Sequence, residues 1–469
     1  MSRLKSDGLA RSRWQLWTAF LLVHAAVVAL GLLQATNPAG DVYRVYEPWS
    51  AAFLHGGYAI SGVAPYDMVH YGFVGITSDW VYPPLAIIPM LAAWLFAWPL
   101  GYTAGWGLLV TALDAAAFAI LIGNGRSRGR RIAAWFWLGT ILLLGPVGLF
   151  RIEGVTVPLT IVGCLLLRGR LGSGSALLAI ASWMKVWPIA LLGAALVSLR
   201  RRWLLIAVAG GISVATVATV AILGNSAAAL SFVSGQTSRG IQIESPVATV
   251  YLWRAVFDAP NSSIFYNSYI EAYEITGPGI SAAIAIMTPL LAATVAGLLL
   301  IGVWRLRRGD SFMALFPTLA VALVGALIVV NKVGSPQYIA WLIAPVVYAV
   351  VVDRHRWKVP AMLTLVICAL TQWGYPNAYD GLLVASWGPV LILTLRNLLM
   401  IVLLIWTTCM LISGRAHYSS RASSLGSSKS REASSSTLTS LNVSTRTDFT
   451  KRSARYTSHT QTSFMDSSK

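Results

Sequence analysis

The sequence predicts an all-α polytopic membrane protein of about twelve spanning helices, with short juxtamembrane helices on its outer face. Three observations carry this. The chain has 469 residues, of which 56% are apolar and only 11% charged, with a mean hydropathy of +0.67; that composition lies outside ordinary soluble domains. Apolar stretches of about 20 residues, enough to cross a hydrocarbon core of roughly 30 Å, recur from residue 14 to residue 412. The basic residues are sorted by loop rather than spread along the chain.

The start, MSRLKSDGLARSR, has the basic character of a signal-peptide leader. The apolar run behind it is long and lacks a small-residue cleavage site, so 14–35 is expected to be an uncleaved first span. Further spans are expected near 103–122, 132–150, 155–167, 174–186, 187–199, 203–223, 281–303, 311–330, 337–352, 359–375 and 387–412. The integral domain is 1–413, with larger outer loops at 36–81 and 224–280. Residues 414–469 turn abruptly to Ser, Thr, Arg and Lys. Such a segment cannot bury a core and is expected to be a disordered cytoplasmic tail, solvated or drawn to anionic lipid headgroups. Cys164, Cys368 and Cys409 all lie in apolar segments, where buried small side chains are expected rather than a disulfide or metal site.

A formal charge of +18 would suggest nucleic acid in a soluble protein. Here 28 of the 35 Lys and Arg fall in the segments before 14, at 126–131, 168–170, 200–202, 305–308 and 354–358, and after 413. The positive-inside rule puts these segments in the cytoplasm, with no nucleic-acid role. The intervening loops hold nine of the 17 acids and only Arg44, Arg239, Arg254 and Lys332 as bases, so they are expected outside. Alternation then needs two adjustments. Residues 82–99, with prolines at 83, 84, 89 and 99, are expected to be a kinked half-inserted helix. Residues 174–199 are expected to be a hairpin of short helices broken near Trp183-Met184-Lys185-Val186-Trp187-Pro188, with Lys185 at its outward apex. Both termini are then cytoplasmic.

Candidate chemistry gathers in the outer segments. The first span ends in Asn37-Pro38-Ala39-Gly40 and delivers Asp41, while the following loop closes with Tyr82-Pro83-Pro84-Leu85-Ala86. In Asp41-Val42-Tyr43-Arg44-Val45-Tyr46-Glu47-Pro48-Trp49, acid, base and aromatics suit a helix lying in the interface. Asp41 is a candidate base there, or simply that helix's N-cap. His55, Asp67, His70 and Asp79 share the loop, but a metal site would need several of them to converge. The second outer loop carries Arg239, Gln242, Glu244, Tyr251, Trp253, Arg254 and Tyr266, the mixture of charge, amide and flat rings that sugar recognition uses. The alternative is a self-supporting cap held by pairs such as Arg239 with Glu244. Lys185, Lys332 and Arg396 are cations at or near the outer half of the membrane, where a function is the default reading and snorkelling the plain one. Asp114, within a span, is expected to be a hydrogen-bonded packing residue. No P-loop, GxGxxG, HExxH or Ser-His-Asp pattern occurs.

Taken in order, Asp41, the Tyr82-Pro83-Pro84-Leu85-Ala86 turn, the Lys185 hairpin, the 239–245 segment and Asn331-Lys332-Val333-Gly334-Ser335-Pro336-Gln337-Tyr338 resemble the GT-C fold glycosyltransferases, specifically family 87 of actinobacterial type, over about residues 14–412. The resemblance implies a plasma-membrane enzyme acting on its outer face. It would move mannose, in preference to arabinose, from a polyprenyl monophosphate to a glycolipid or polysaccharide, with Asp41 as catalytic base. Arg44, Lys185, Arg239, Glu244, Lys332, Gln337 and Arg396 are then candidates for binding the donor phosphate or the substrates. Gln337, Tyr338 and Trp341 stand where better-known members place histidines. No cofactor is implied, because the leaving group is already a stable phosphate that cations can stabilise. The competing classes are a transporter or lipid flippase and a non-catalytic envelope scaffold. Transporters often show inverted repeats with paired broken helices, which this sequence lacks.

Overall fold

The computed structural model describes residues 2–34, 38–60, 68–237, 239–268 and 270–414. The chain divides into two units, Met1–Arg415 and Ala416–Lys469. The second, and with it the expected tail beyond Gly414, lies outside the described residues, as do Asn37 and Asp67.

The first helix, α1 (Ser2–Leu33), includes a membrane-length apolar part from Arg13. The chain re-forms a single π-turn at Val42–Tyr46 and continues as α2 (Glu47–Leu54), with Pro48 in the first turn where its missing N–H costs nothing. A helix is expected here. Two antiparallel strands follow, β1 (Tyr58–Ile60) and β2 (Met68–His70). This hairpin and a second one later in the chain are two-stranded loop structures in an otherwise helical protein, as the all-α expectation has it.

A tight turn at Pro84–Ala86 leads into α3 (Ile87–Ala97). Together these 14 residues are shorter than the roughly 20 that span a hydrocarbon core; a kinked half-inserted helix is the expectation here. Next, α4 (Tyr102–Ile122) packs closely on α3, since a Cβ at Gly105 would stand 2.7 Å from the Ala93 carbonyl oxygen. The expected single span 132–150 is instead α5 (Arg128–Leu144), a break at Gly145 with φ +61°, and a one-turn helix, α6 (Pro146–Leu149). Gly145 still donates to the Ile141 carbonyl but its positive φ turns the chain out of the helix, and Pro146 has no N–H to carry the ladder on.

Three short helices follow, α7 (Glu153–Leu166), α8 (Leu171–Ser182) and α9 (Ile189–Ser198). The expected break at 183–188 is present. Glycines bring α7 and α8 together: a Cβ on Gly174 would lie 2.8 Å from the Gly163 carbonyl oxygen. Then come α10 (Arg202–Leu223), α11 (Ser231–Thr237) and α12 (Ala248–Val256), and the second hairpin, β3 (Ser263–Asn267) with β4 (Ala272–Thr276). The remaining helices are α13 (Ile280–Arg307), α14 (Phe312–Val329), α15 (Ile343–Asp353), which continues a 3₁₀ turn over Pro336–Leu342, α16 (Lys358–Gln372), α17 (Tyr379–Leu383) and α18 (Trp387–Ser413).

Among the described residues, eight helices are long and apolar enough to cross a membrane, which makes the protein a multi-pass membrane protein. They match eight of the twelve expected spans. The other four correspond to α5, α7, α8 and α9, with only 17, 14, 12 and 10 residues. Within the bundle α14 is central and α13 peripheral, with 78% and 11% of their apolar windows buried. Trp106, Trp137, Trp187, Trp357 and Phe150 fill the main core, and a smaller cluster around Ile241, Ile243, Leu252, Ile275, Leu382 and Leu393 packs the second hairpin onto α17 and α18. Cys164 and Cys368 are buried as expected, whereas Cys409 is exposed on α18. Asp114 is a buried packing residue: its carboxyl sits 3.0 Å from His24 Nε2, and His24 Nδ1 donates to the Phe20 carbonyl.

Candidate functional site

The site forms at one end of the bundle, where α1 and α16 finish and α7 begins. Asp41 occupies the N-terminal edge of the π-turn with helical φ and ψ, and its side chain makes no capping hydrogen bond. Capping is therefore not its task. Its Oδ2 lies 3.0 Å from Arg151 Nε, and the Asp41 side chain keeps 38% of its surface open to the outside.

Arg151 was not among the sequence candidates, and it organises this corner. It is 4% exposed. Its Nη1 donates to the carbonyl oxygens of Pro38 and Phe150, at 2.8 and 2.9 Å, and its Nη2 donates to the Tyr375 hydroxyl at 3.2 Å. A planar guanidinium held on three sides presents a fixed fork to the carboxylate. The Gly145-Pro146 break places it here, by turning the chain after α5 so that Phe150-Arg151-Ile152-Glu153 runs under the Asp41 turn.

Two residues on, Glu153 is completely buried. Its Oε1 accepts from Trp341 Nε1 at 3.0 Å and lies 3.7 Å from Lys185 Nζ, at the apex between α8 and α9. The Lys185 ammonium also sits 4.4 Å above the Tyr82 ring, a cation–π arrangement. The Tyr-Pro-Pro turn is anchored to the same apex, because Leu85 N donates to the Trp183 carbonyl at 3.0 Å. Tyr46 bridges the two halves: its hydroxyl is 3.4 Å from that of Tyr82 and accepts from Ile152 N at 3.1 Å. The three features picked from sequence, Asp41, the Tyr82 turn and the Lys185 hairpin, thus share one cluster with Arg151 and Glu153 as the links between them.

The other candidates divide. Arg239 donates from Nε to the Gly235 carbonyl at 3.3 Å and lies within electrostatic reach of Tyr338, which itself faces Lys185 and Glu153. The expected pairing of Arg239 with Glu244 does not occur. Glu244 pairs instead with Arg396: Oε2 lies 3.5 Å from Nη1, and Nη2 donates to the Glu244 main-chain oxygen. Asn397 extends this network, accepting from Arg396 Nη2 at 2.8 Å and donating to Thr249 at 2.9 Å. Burial pushes the Glu244 carboxyl up to about 7 even though the Arg396 cation pulls the other way. Through Tyr375 and Arg151 this pair is in electrostatic contact with the Asp41 corner. Arg396 is thereby committed inside the protein.

Lys332 faces Glu274 of the second hairpin rather than the Asp41 corner, and its carbonyl accepts from Gln242 N at 3.0 Å. Gln337 accepts from Ser335 Oγ. Arg44 is exposed beside Tyr43. His55 Nδ1 donates to the Ala51 carbonyl and His70 packs on Tyr58, and among the described residues no three of His, Cys, Asp and Glu gather as a metal site would require. Arg151 and Glu153 do carry a signal in the sequence. They are two charges in the short gap between apolar segments, at the end away from the basic loops, where a charge near hydrocarbon needs a reason.

Compared with known proteins, the chain matches no protein-family profile and no curated protein.

Proposed function

We propose that the protein is a membrane glycosyltransferase that moves a sugar, mannose in preference to arabinose, from a polyprenyl monophosphate to a glycolipid or polysaccharide at the outer face of a bacterial plasma membrane. One observation carries the reading: a partly open carboxylate, Asp41, held by a buried arginine and sharing its cluster with a half-buried lysine. Asp41 removes the proton from an acceptor hydroxyl as that oxygen forms its bond to the anomeric carbon. The bond from that carbon to the phosphate oxygen breaks on the opposite face, and polyprenyl phosphate leaves with the electron pair and inversion at carbon.

Charge decides which cation meets the phosphate. Arg151 is engaged by Asp41 and Arg396 by Glu244. Lys185 has a softer hold, 3.7 Å from Glu153 and resting on a tyrosine face, and so has a donor to offer an incoming phosphate. Its depth also fits, because α8 and α9 rise only about 18 and 15 Å in a core of roughly 30 Å. An anchored phosphate arriving through the lipid would meet it there. Membranes containing the protein, given radiolabelled polyprenyl-phosphate mannose or arabinose with native lipid extract, should transfer label to lipid or polymer. Absence of transfer with both donors, while donor-laden vesicles show accelerated lipid movement, would support the flippase reading instead.

A further inference from the structure

Tyrosine rings form an unbroken row from the tip of the second hairpin to Asp41. Tyr266 and Tyr273 stand opposite each other in the β3–β4 register with centroids 5.1 Å apart. Tyr273 meets Tyr379 edge-on at 6.0 Å, and Tyr379 meets Tyr375 at 4.9 Å. The Tyr375 hydroxyl accepts from Arg151, which holds Asp41. From the other side Arg44, one helical turn beyond Asp41, lies within electrostatic reach of Tyr266. The row is thus a half-open aromatic surface, with Tyr273 and Tyr379 intermediate in exposure, that leads from the hairpin tip to the residue holding Asp41.

A purely structural row would hide its rings. Tyr266 is instead 52% exposed, and Arg44 beside it is exposed as well. A ring with an apolar face and a hydroxyl edge suits a ligand that presents C–H faces and hydroxyls alternately, which is the character of a sugar. We propose that this surface is the acceptor subsite and that its ligand is an oligosaccharide laid along Tyr266, Tyr273 and Tyr379, with its terminal hydroxyl delivered to Asp41. The inference rests on the transferase reading, and it adds the residues along which the acceptor's sugar chain lies.

The test uses the full-length protein in detergent, with manno- and arabino-oligosaccharides as probes, measuring binding calorimetrically without donor and transfer with donor. Tyr266→Ala should weaken oligosaccharide binding and raise the acceptor KM by about 10-fold, the scale of one aromatic contact, while kcat and donor affinity hold. Tyr266→Phe keeps the ring face and loses only the hydroxyl edge, so its KM should fall between those of wild type and Tyr266→Ala. Phe257→Ala removes an exposed aromatic outside the row and should change nothing. If wild type transfers sugar and Tyr266→Ala is indistinguishable from it, the subsite is wrong and the transferase reading stands. If wild type binds oligosaccharide through Tyr266 yet never transfers, the subsite stands and the transferase reading falls. If wild type binds neither oligosaccharide, the subsite is overturned.

Discussion

At the scale of the residue, Asp41 pairs with Arg151 and makes no capping hydrogen bond, and its proposed role as base is open to direct substitution. Asp41→Asn preserves shape and removes basicity, so transfer should fall by at least about 100-fold with protein yield unchanged. Wild-type activity in that variant would remove Asp41 from the mechanism. Glu244 gives a second expectation, this one about pH. Its carboxyl is raised from an ordinary 4.5 to about 7 by burial, so the folded state favours the protonated form. The stabilisation this provides is present in full below about 4.5 and is lost as pH rises through about 7. Thermal unfolding of detergent-solubilised protein should therefore show a midpoint that declines across that window. In Glu244→Gln, which cannot ionise, the decline should be smaller; an identical pH profile would mean that Glu244 titrates normally.

At the scale of the element, two arrangements have consequences. Lys185 sits at a break between two helices too short to span, so Lys185→Met should weaken use of the polyprenyl-phosphate donor more than acceptor binding. A lysine of structural value only would lower yield and leave donor affinity in the surviving protein untouched. Glycine spacing sets the closeness of α7 and α8. Gly174→Val would drive side-chain atoms into the α7 backbone, whereas Gly172, on the same helix, has open space around it. Overpacking of this kind costs about 1–3 kcal/mol. The Gly174 variant should unfold at a lower temperature than wild type and Gly172→Val should not; equal behaviour would show that the helices can separate without penalty.

At the scale of the whole molecule, the charged groups of the site gather at one end of the bundle, and the basic loops define the other. That separation predicts which positions an impermeant reagent reaches. On a background without Cys164, Cys368 and Cys409, single cysteines at 41, 239 and 379 should label in intact cells, while those at 128, 201 and 307 should label only after permeabilisation. Labelling at 128 from outside would mean that 84–97 crosses the membrane fully.

Much of this was legible in one dimension because it depends on local properties. Spanning length, proline breaks and loop charge are carried by short runs of sequence, so the eight long helices, the short proline-rich element and the Lys185 break could be placed from residues alone. Asp41 and the Tyr82 turn stood out for the same reason, each being anomalous in its own neighbourhood. What joins them could not be read that way. Arg151 bonds Tyr375 across 224 positions, Glu153 bonds Trp341 across 188, and Arg396 reaches Glu244 across 152. Such pairings have no periodic signature, since each partner's neighbours are ordinary for a loop or a span. Only the packed bundle decides which distant charge a buried group meets, because desolvation forces every buried charge to find a partner within a few ångströms and the fold determines which ones are within reach.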